Sequence, residues 1–109
     1  MPPQNSLIDK VALITGSARR IGAAIATALH EAGADVVIHY RSSGDAAATL
    51  VDKLNAVRSD SACAIQADLN DTEQLPDLVE RVVAWRDRLD ILVNNASSFY
   101  PTPPGEITE

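Results

Sequence analysis

An α/β fold with a parallel sheet is predicted, and three observations predict it. Short apolar runs alternate with helical stretches along a chain of 109 residues. The helical stretches repeat apolar residues every three or four positions. The first and last of the apolar runs are continuous and branched, as in strands covered on both faces. A chain this long suffices for one small domain with its own core.

Each element has its own signal. Lys10–Thr15 is a short run rich in branched residues, suited to a buried strand. Ile21, Ile25 and Leu29 recur at four-residue spacing, which predicts a helix over 20–32, closed by Gly33. Small Ala23, Ala24, Ala26 and Ala28 let that helix lie close to a sheet. "DVVIHYR" (35–41) is a second strand, and Ala47, Leu50, Val51, Leu54 and Val57 mark a second helix over roughly 45–58. "SACAIQADL" (61–69) gives a third strand ending at Asp68. Thr72 is then placed to cap a third helix whose stripe is Leu75, Leu78, Val79, Val82 and Val83. Pro76 falls in its first turn, where an amide donor is dispensable. "LDILVNNA" (89–96) is a fourth strand, and the polar, proline-rich "SSFYPTPPGEITE" (97–109) is loop.

Strand, helix, strand, helix, strand, helix, strand is a run of βαβ units with right-handed crossovers. The expected architecture is a doubly wound, three-layer α/β/α sandwich with strands ordered 3-2-1-4. Ligand would bind at the carboxyl ends of strands 1 and 4, where that order reverses. Strand 4 would then be an edge, yet Ile91, Leu92 and Val93 form a continuous apolar run that wants a neighbour. Residues 1–109 are therefore expected to be the N-terminal portion of a longer single domain. The alternative is a short chain that dimerises through this edge.

Composition narrows the partners. A net charge of -6 argues against nucleic acid and anionic membranes. Among the nine Lys and Arg, Arg19, Arg20 and Arg41 flank the candidate site, so local charge opposes global charge. The single Cys63 excludes an internal disulfide, fits a reducing compartment and sits where a buried, inert thiol is expected. The first ten residues lack a basic segment followed by an apolar one, and no stretch approaches the ~20 apolar residues of a membrane span. Cytoplasm is the expected location, and a small molecule the expected partner.

The junction "ITGSARRIGA" (14–23) links strand 1 to helix 1. Gly16 permits a tight turn, and Gly22 lets the helix backbone approach strand or ligand. Amides at a helix start favour a pyrophosphate. Such turns usually carry three glycines, and Arg19 and Arg20 stand where the middle one belongs. A glycine there would only leave space, whereas Arg20 adds charge. Two glycines also occur in ordinary βα turns of no binding function.

The end of strand 2 sharpens the reading. An NAD site places a carboxylate there for the ribose hydroxyls, but this chain has His39-Tyr40-Arg41-Ser42-Ser43. Guanidinium and hydroxyls suit a 2′-phosphate, so NADP is favoured over NAD. Asp68 could accept from an adenine amino group or cap the approach to helix 3. Asn94 and Asn95 place amides at the crevice, where they could bridge strands or touch a ribose. His39 is expected to pack or hydrogen-bond beside the adenosine pocket, and His30 to lie on the helix surface. No metal is expected, because no second ligand stands at suitable spacing.

Together Thr15-Gly16-x3-Arg20-Ile21-Gly22, Asp68-Leu69 and Asn94-Asn95-Ala96 resemble the short-chain dehydrogenase/reductase superfamily, a Rossmann-type fold, over residues 8 to 109. Arg20 for the usual glycine and Ser97 after Asn-Asn-Ala, within "NNASSFYPTP", are similar to pteridine reductases, and "HYRSS" agrees. The resemblance implies an NADPH-dependent enzyme that reduces pterins or folates. It implies cofactor contacts from Gly16, Arg19, Arg20, Ile21, Gly22, His39, Tyr40, Arg41, Ser42, Asp68, Leu69, Asn94, Ala96 and Ser97. Arg20 and Ser97 would also meet the pterin, on which Phe99 would stack. Members of the superfamily commonly form tetramers.

One departure matters. The superfamily's catalysis needs a Tyr-x3-Lys pair, and here Tyr40 and Tyr100 are followed four residues on by Gly44 and Pro104. No catalytic residue is assigned within the 109. Two other readings stay open: a short-chain reductase of another carbonyl, such as a ketoacyl thioester or a sugar, and a non-catalytic dinucleotide-binding regulatory protein.

Overall fold

A computed structural model describes residues 6–69 and 74–95. Seven elements follow one another in the predicted alternation. They are β1 (Val11–Ile14), α1 (Arg20–Glu31), β2 (Asp35–Tyr40), α2 (Gly44–Val57), β3 (Ala62–Gln66), α3 (Gln74–Arg86) and β4 (Ile91–Val93). The sheet is parallel and ordered β3-β2-β1-β4, as expected. The Thr72 cap and the loop over 97–109 lie outside the described residues.

Strand alternation sorts the core into two halves. Ala12, Ile14, Val36 and Ile38 face α1 and α2, where Ala26, Ala47 and Leu54 fill the space. Val11, Leu13 and Val37 face the opposite way, against Leu78 and Val82 of α3. Every residue of β1 is buried, which is why its run is continuous. The result is three layers, and among the described residues β4 is outermost, with Leu92 52% exposed.

The helical stripes are narrower than the periodicity suggests. In α1 the buried line is Gly22, Ala26 and His30, one position on from the predicted one, and Ile21 is 70% exposed. Ile25 and Leu29 pack at the border of the core. Small residues win the central line because they let the helix axis come close to the strands. Val57 at the end of α2 is exposed, and on α3 Leu75 and Val83 are partly so. β3 and β4 are shorter than predicted. Before β4, Asp90 holds Val11 with both its carboxylate, which accepts the Val11 amide at 2.9 Å, and its own amide, which donates to the Val11 carbonyl at 2.9 Å, and regular pairing starts at Ile91. Past β3, the Asp68 amide turns to the Gln74 side chain at 2.8 Å.

At the opposite end of the sheet from the crevice, each strand is preceded by a residue in left-handed conformation. These are Asp9 (φ 69), Gly33 (φ 110), Asp60 (φ 56) and Asp87 (φ 64). Glycine and the short aspartate tolerate that region best, so the four turns share one solution.

A polar network at this end corrects the reading of His30. The side chain is 1% exposed, not on the surface. Ser61 Oγ donates to the Arg58 carbonyl at 2.5 Å, which leaves His30 Nε2–H to donate to that oxygen at 2.6 Å. Arg58 reaches the carbonyls of His30 and Ala34 at the end of α1, at 3.0 and 2.6 Å. Asp35 lies between Arg58 and Arg86, at 3.6 and 3.0 Å. Asn55 accepts the Ser61 and Ala62 amides at 2.8 and 2.9 Å and donates to the Ala62 carbonyl at 3.0 Å.

Asn55 therefore holds the entry to β3. Asn55→Ala leaves two amides without that acceptor and is expected to lower stability by about 2–4 kcal/mol. Urea unfolding checks it, as a lower midpoint at unchanged slope.

Candidate functional site

Gly16 turns the chain out of β1 with φ 61, a left-handed value that glycine adopts without penalty. Gly22 lies against the same turn. A Cβ on it would stand 2.3 Å from the Gly16 carbonyl oxygen, 2.7 Å from Asn95 Nδ2 and 2.8 Å from Ser17 Cα. Both glycines thus perform the two backbone tasks expected of them.

Arg20 requires a correction. Its φ is 60, so a glycine there would do more than leave space: it would supply the backbone. Keeping an arginine in this region costs about 1–2 kcal/mol. Arg19 before it is extended, with φ -144, and gives α1 no side-chain cap.

The turn is fixed from two sides. On the β4 side, Thr15 Oγ1 accepts the Asn95 amide at 2.8 Å, and Asn95 Nδ2 donates to the Gly16 carbonyl at 3.1 Å. Asn94 Oδ1 lies 3.3 Å from Thr15 Oγ1. Of the two roles open to the asparagines, Asn95 performs strand bridging. On the β2 side, Ser17 is fully buried and its hydroxyl donates to the Ile14 carbonyl at 2.6 Å. The same oxygen accepts the His39 amide at 3.0 Å, and the Ser17 amide donates to the His39 carbonyl.

His39 completes this side. Its Nδ1 accepts the Gly16 amide at 2.9 Å, and Nε2 lies 2.9 Å from the Ala67 carbonyl. An amide can only donate and a carbonyl only accept, so the ring is neutral and protonated on Nε2. Burial holds its pKa below the ordinary value, against a smaller opposing effect of the Ala67 carbonyl. Ser17 and this use of both ring nitrogens are absent from the sequence reading. A buried polar residue beside a glycine turn was the available signal.

Between the ends of β1 and β2 opens a cleft of about 330 Å³. The turn contributes Gly16, Ala18, Arg19 and Arg20 to it. The end of β2 contributes His39, Tyr40 and Arg41, followed by Ser42 and Ser43. Among the described residues, three arginines and no carboxylate line this cleft, in a chain of net charge -6. Outside the lining, Asp68 Oδ1 lies 3.7 Å from Arg41 Nε, with both side chains about half exposed. The residues assigned to phosphate and to adenine thus meet each other. Leu69 sends its side chain into the core, and Ile21 is mostly exposed. Ala96, Ser97 and Phe99 lie outside the described residues.

Among the described residues no three His, Cys, Asp or Glu gather as a metal cradle. None of the helices described is long and apolar enough to cross a membrane. Cys63 is half-buried rather than fully buried, and desolvation pushes its thiol up to about 11, which keeps it inert.

A four-stranded parallel sheet with an arginine-lined glycine turn at its carboxyl edge is an arrangement of doubly wound α/β folds. The family model for short chain dehydrogenase matches residues 10–109, and the chain belongs to that family. It is 43% identical to pteridine reductase 1 of Leishmania tarentolae, over 85% of this chain and 38% of that protein. It is 51% identical to elsinochrome reductase 1 of Elsinoe fawcettii, over 83% of this chain and 33% of that protein. Versicolorin reductase 1 of Aspergillus parasiticus is 46% identical, over 88% and 36%. The chain thus spans about a third to two-fifths of the length of these curated relatives.

Both histidines carry a pH dependence. Burial lowers the pKa of His30 as well as His39. The unfolded chain therefore takes up protons first as pH falls below about 6.5. Stability is expected to be full above that pH and to decline below it. Asp90, held down to about 2 by Arg88 and the Val11 amide, loses its contribution only below its unperturbed 3.8. Urea midpoints at pH 7.5 and 5.5 test the window, and equal values count against it.

Proposed function

We propose that this chain is the dinucleotide-binding N-terminal portion of an NADPH-dependent reductase of the pteridine reductase type. The observation that carries the reading is the cleft lined by Arg19, Arg20 and Arg41 with Ser42 and Ser43, with no carboxylate among the described residues of its lining. Its residues fit a dinucleotide bearing an extra phosphate. Gly16 and the start of α1 offer a turn for pyrophosphate, and Arg41 with the serine hydroxyls offers charge and donors for a 2′-phosphate. Arg41 would exchange an exposed contact with Asp68, worth little, for a doubly charged phosphate. His39 and Tyr40 line the same cleft on the side proposed for adenosine, and Asp68 lies by Arg41. The bound cofactor supplies the hydride.

Arg20 stands at the mouth of the turn, where a side chain can serve phosphate and substrate together. The strain held at this residue supports a role for its guanidinium. Ser97 would hydrogen-bond the substrate and Phe99 would stack on a pterin. A Tyr-x3-Lys pair beyond residue 109 would handle the proton, and the full-length enzyme would act as a cytoplasmic homo-oligomer, a tetramer. The identity to a pteridine reductase supports the pterin assignment. The comparable identities to elsinochrome and versicolorin reductases favour a second reading, a short-chain reductase of another small carbonyl compound. A regulatory protein without the Tyr-Lys pair is the third.

Full-length enzyme is expected to oxidise NADPH with dihydrobiopterin or dihydrofolate as acceptor. Oxidation with acetoacetyl thioesters and with no pterin would replace the first reading by the second. Arg41→Asp is expected to weaken NADPH at least tenfold more than NADH, the size of one lost charge-assisted contact. Equal losses for both cofactors would remove the 2′-phosphate contact.

A further inference from the structure

His39 is spent entirely on the protein. Four hydrogen bonds leave this one residue: Nδ1 to the Gly16 amide, Nε2–H to the Ala67 carbonyl, and its own amide and carbonyl to Ser17. It is 2% exposed, yet it borders the arginine-lined cleft. A ring with both nitrogens engaged has no atom left for a ligand hydrogen bond, and none for moving a proton. What it controls is the direction of the Gly16 amide. That amide points to the imidazole, while the carbonyl of the same residue accepts from Asn95 Nδ2 and lies against the start of α1 at Gly22.

We propose that His39 is a positioning residue for dinucleotide binding, whose neutral Nε2–H imidazole sets the phosphate turn by holding the Gly16 amide. The role rests on the dinucleotide reading above and names a residue through which that site is built. Protonation would put a second N–H against the Gly16 amide, donor facing donor, and the turn would have to move. The charged groups that share the ring's cleft are Arg19 and Arg20 from the turn and Arg41 from the end of β2, with Asp68 beside Arg41; Tyr40 is the other titratable neighbour. Burial favours the neutral ring. Dinucleotide affinity should therefore fall as pH drops through the lowered pKa of this ring, which burial places below the ordinary histidine value of about 6.5.

The two conservative substitutions separate the two ring nitrogens. In His39→Asn the amide oxygen takes the place of Nδ1 and can still accept from Gly16. In His39→Gln the terminal amide reaches toward Ala67 and leaves Gly16 without its acceptor. NADPH titrations of the full-length enzyme and both variants, at pH 7.5 and 5.5, read the effect. Long-range 15N–1H spectra of the wild type read the tautomer independently of any ligand.

The expected result is an Nε2–H tautomer at pH 7.5, with affinity kept within about threefold in the Asn variant and lost by roughly tenfold or more in the Gln variant. The wild type should bind more weakly at pH 5.5, and the Asn variant should lose most of that dependence. Equal affinities in the two variants at matched thermal stability, or an Nδ1–H tautomer, overturn the positioning role. Wild type that binds no dinucleotide overturns the parent reading and this role together. Binding undisturbed in the Gln variant overturns the role alone.

Discussion

The contact on which the site depends is the one between Gly22 and the Gly16 carbonyl. A single methyl group at position 22 would lie within 3 Å of three atoms belonging to β1's turn and to Asn95. No rotamer relieves a clash with backbone, so the start of α1 can sit on the sheet only if that methyl is missing. Everything at the carboxyl edge follows from this approach. It brings the first amides of α1 over the end of β1, and it lets Asn95 reach across from the β4 side. Arg19 and Arg20, between the two glycines, line the cleft.

The two ends of the sheet solve different problems with different residues. At the entry end, three aspartates and a glycine make the left-handed turns, and Asn55, Ser61, His30 and Arg58 satisfy the backbone left over by two helix ends. No buried side-chain donor or acceptor among the described residues is left unpaired. At the exit end the buried residues and the charged ones are divided. Thr15, Ser17 and His39 pin the strands, while the arginines face the open cleft. A rigid frame with charged groups projecting from it is what recognition of a polyanion requires.

Much of this was legible in the sequence. The continuous apolar run identifies β1 because both faces of the sheet are covered there, and helical spacing finds all three helices, the first two to within a residue at each end. The strand order follows from the βαβ pattern. What periodicity cannot reveal is which apolar residue takes the central line. The α1 stripe moved from Ile21 to Gly22 because closeness to the sheet outweighs apolar area, and His30 was misplaced because its partners come from α2 and the turn before β3. Ser17 and His39 were illegible as a pair. Their bonds join residues 22 positions apart, and only the parallel register of β1 and β2 brings them together.

Arg20 gives the turn a property that a glycine-only version would lack. Backbone relaxation and side-chain chemistry are tied to the same position: the residue that would best suit the φ of 60 has no guanidinium to offer. A gain in local stability at this point and a change in what the turn attracts cannot be selected separately. Any lineage that keeps the arginine keeps a slightly strained loop with it. Compensation must come from elsewhere in the frame, and the dense pairing of Thr15, Ser17, His39 and Asn95 around the turn is where the fold provides it.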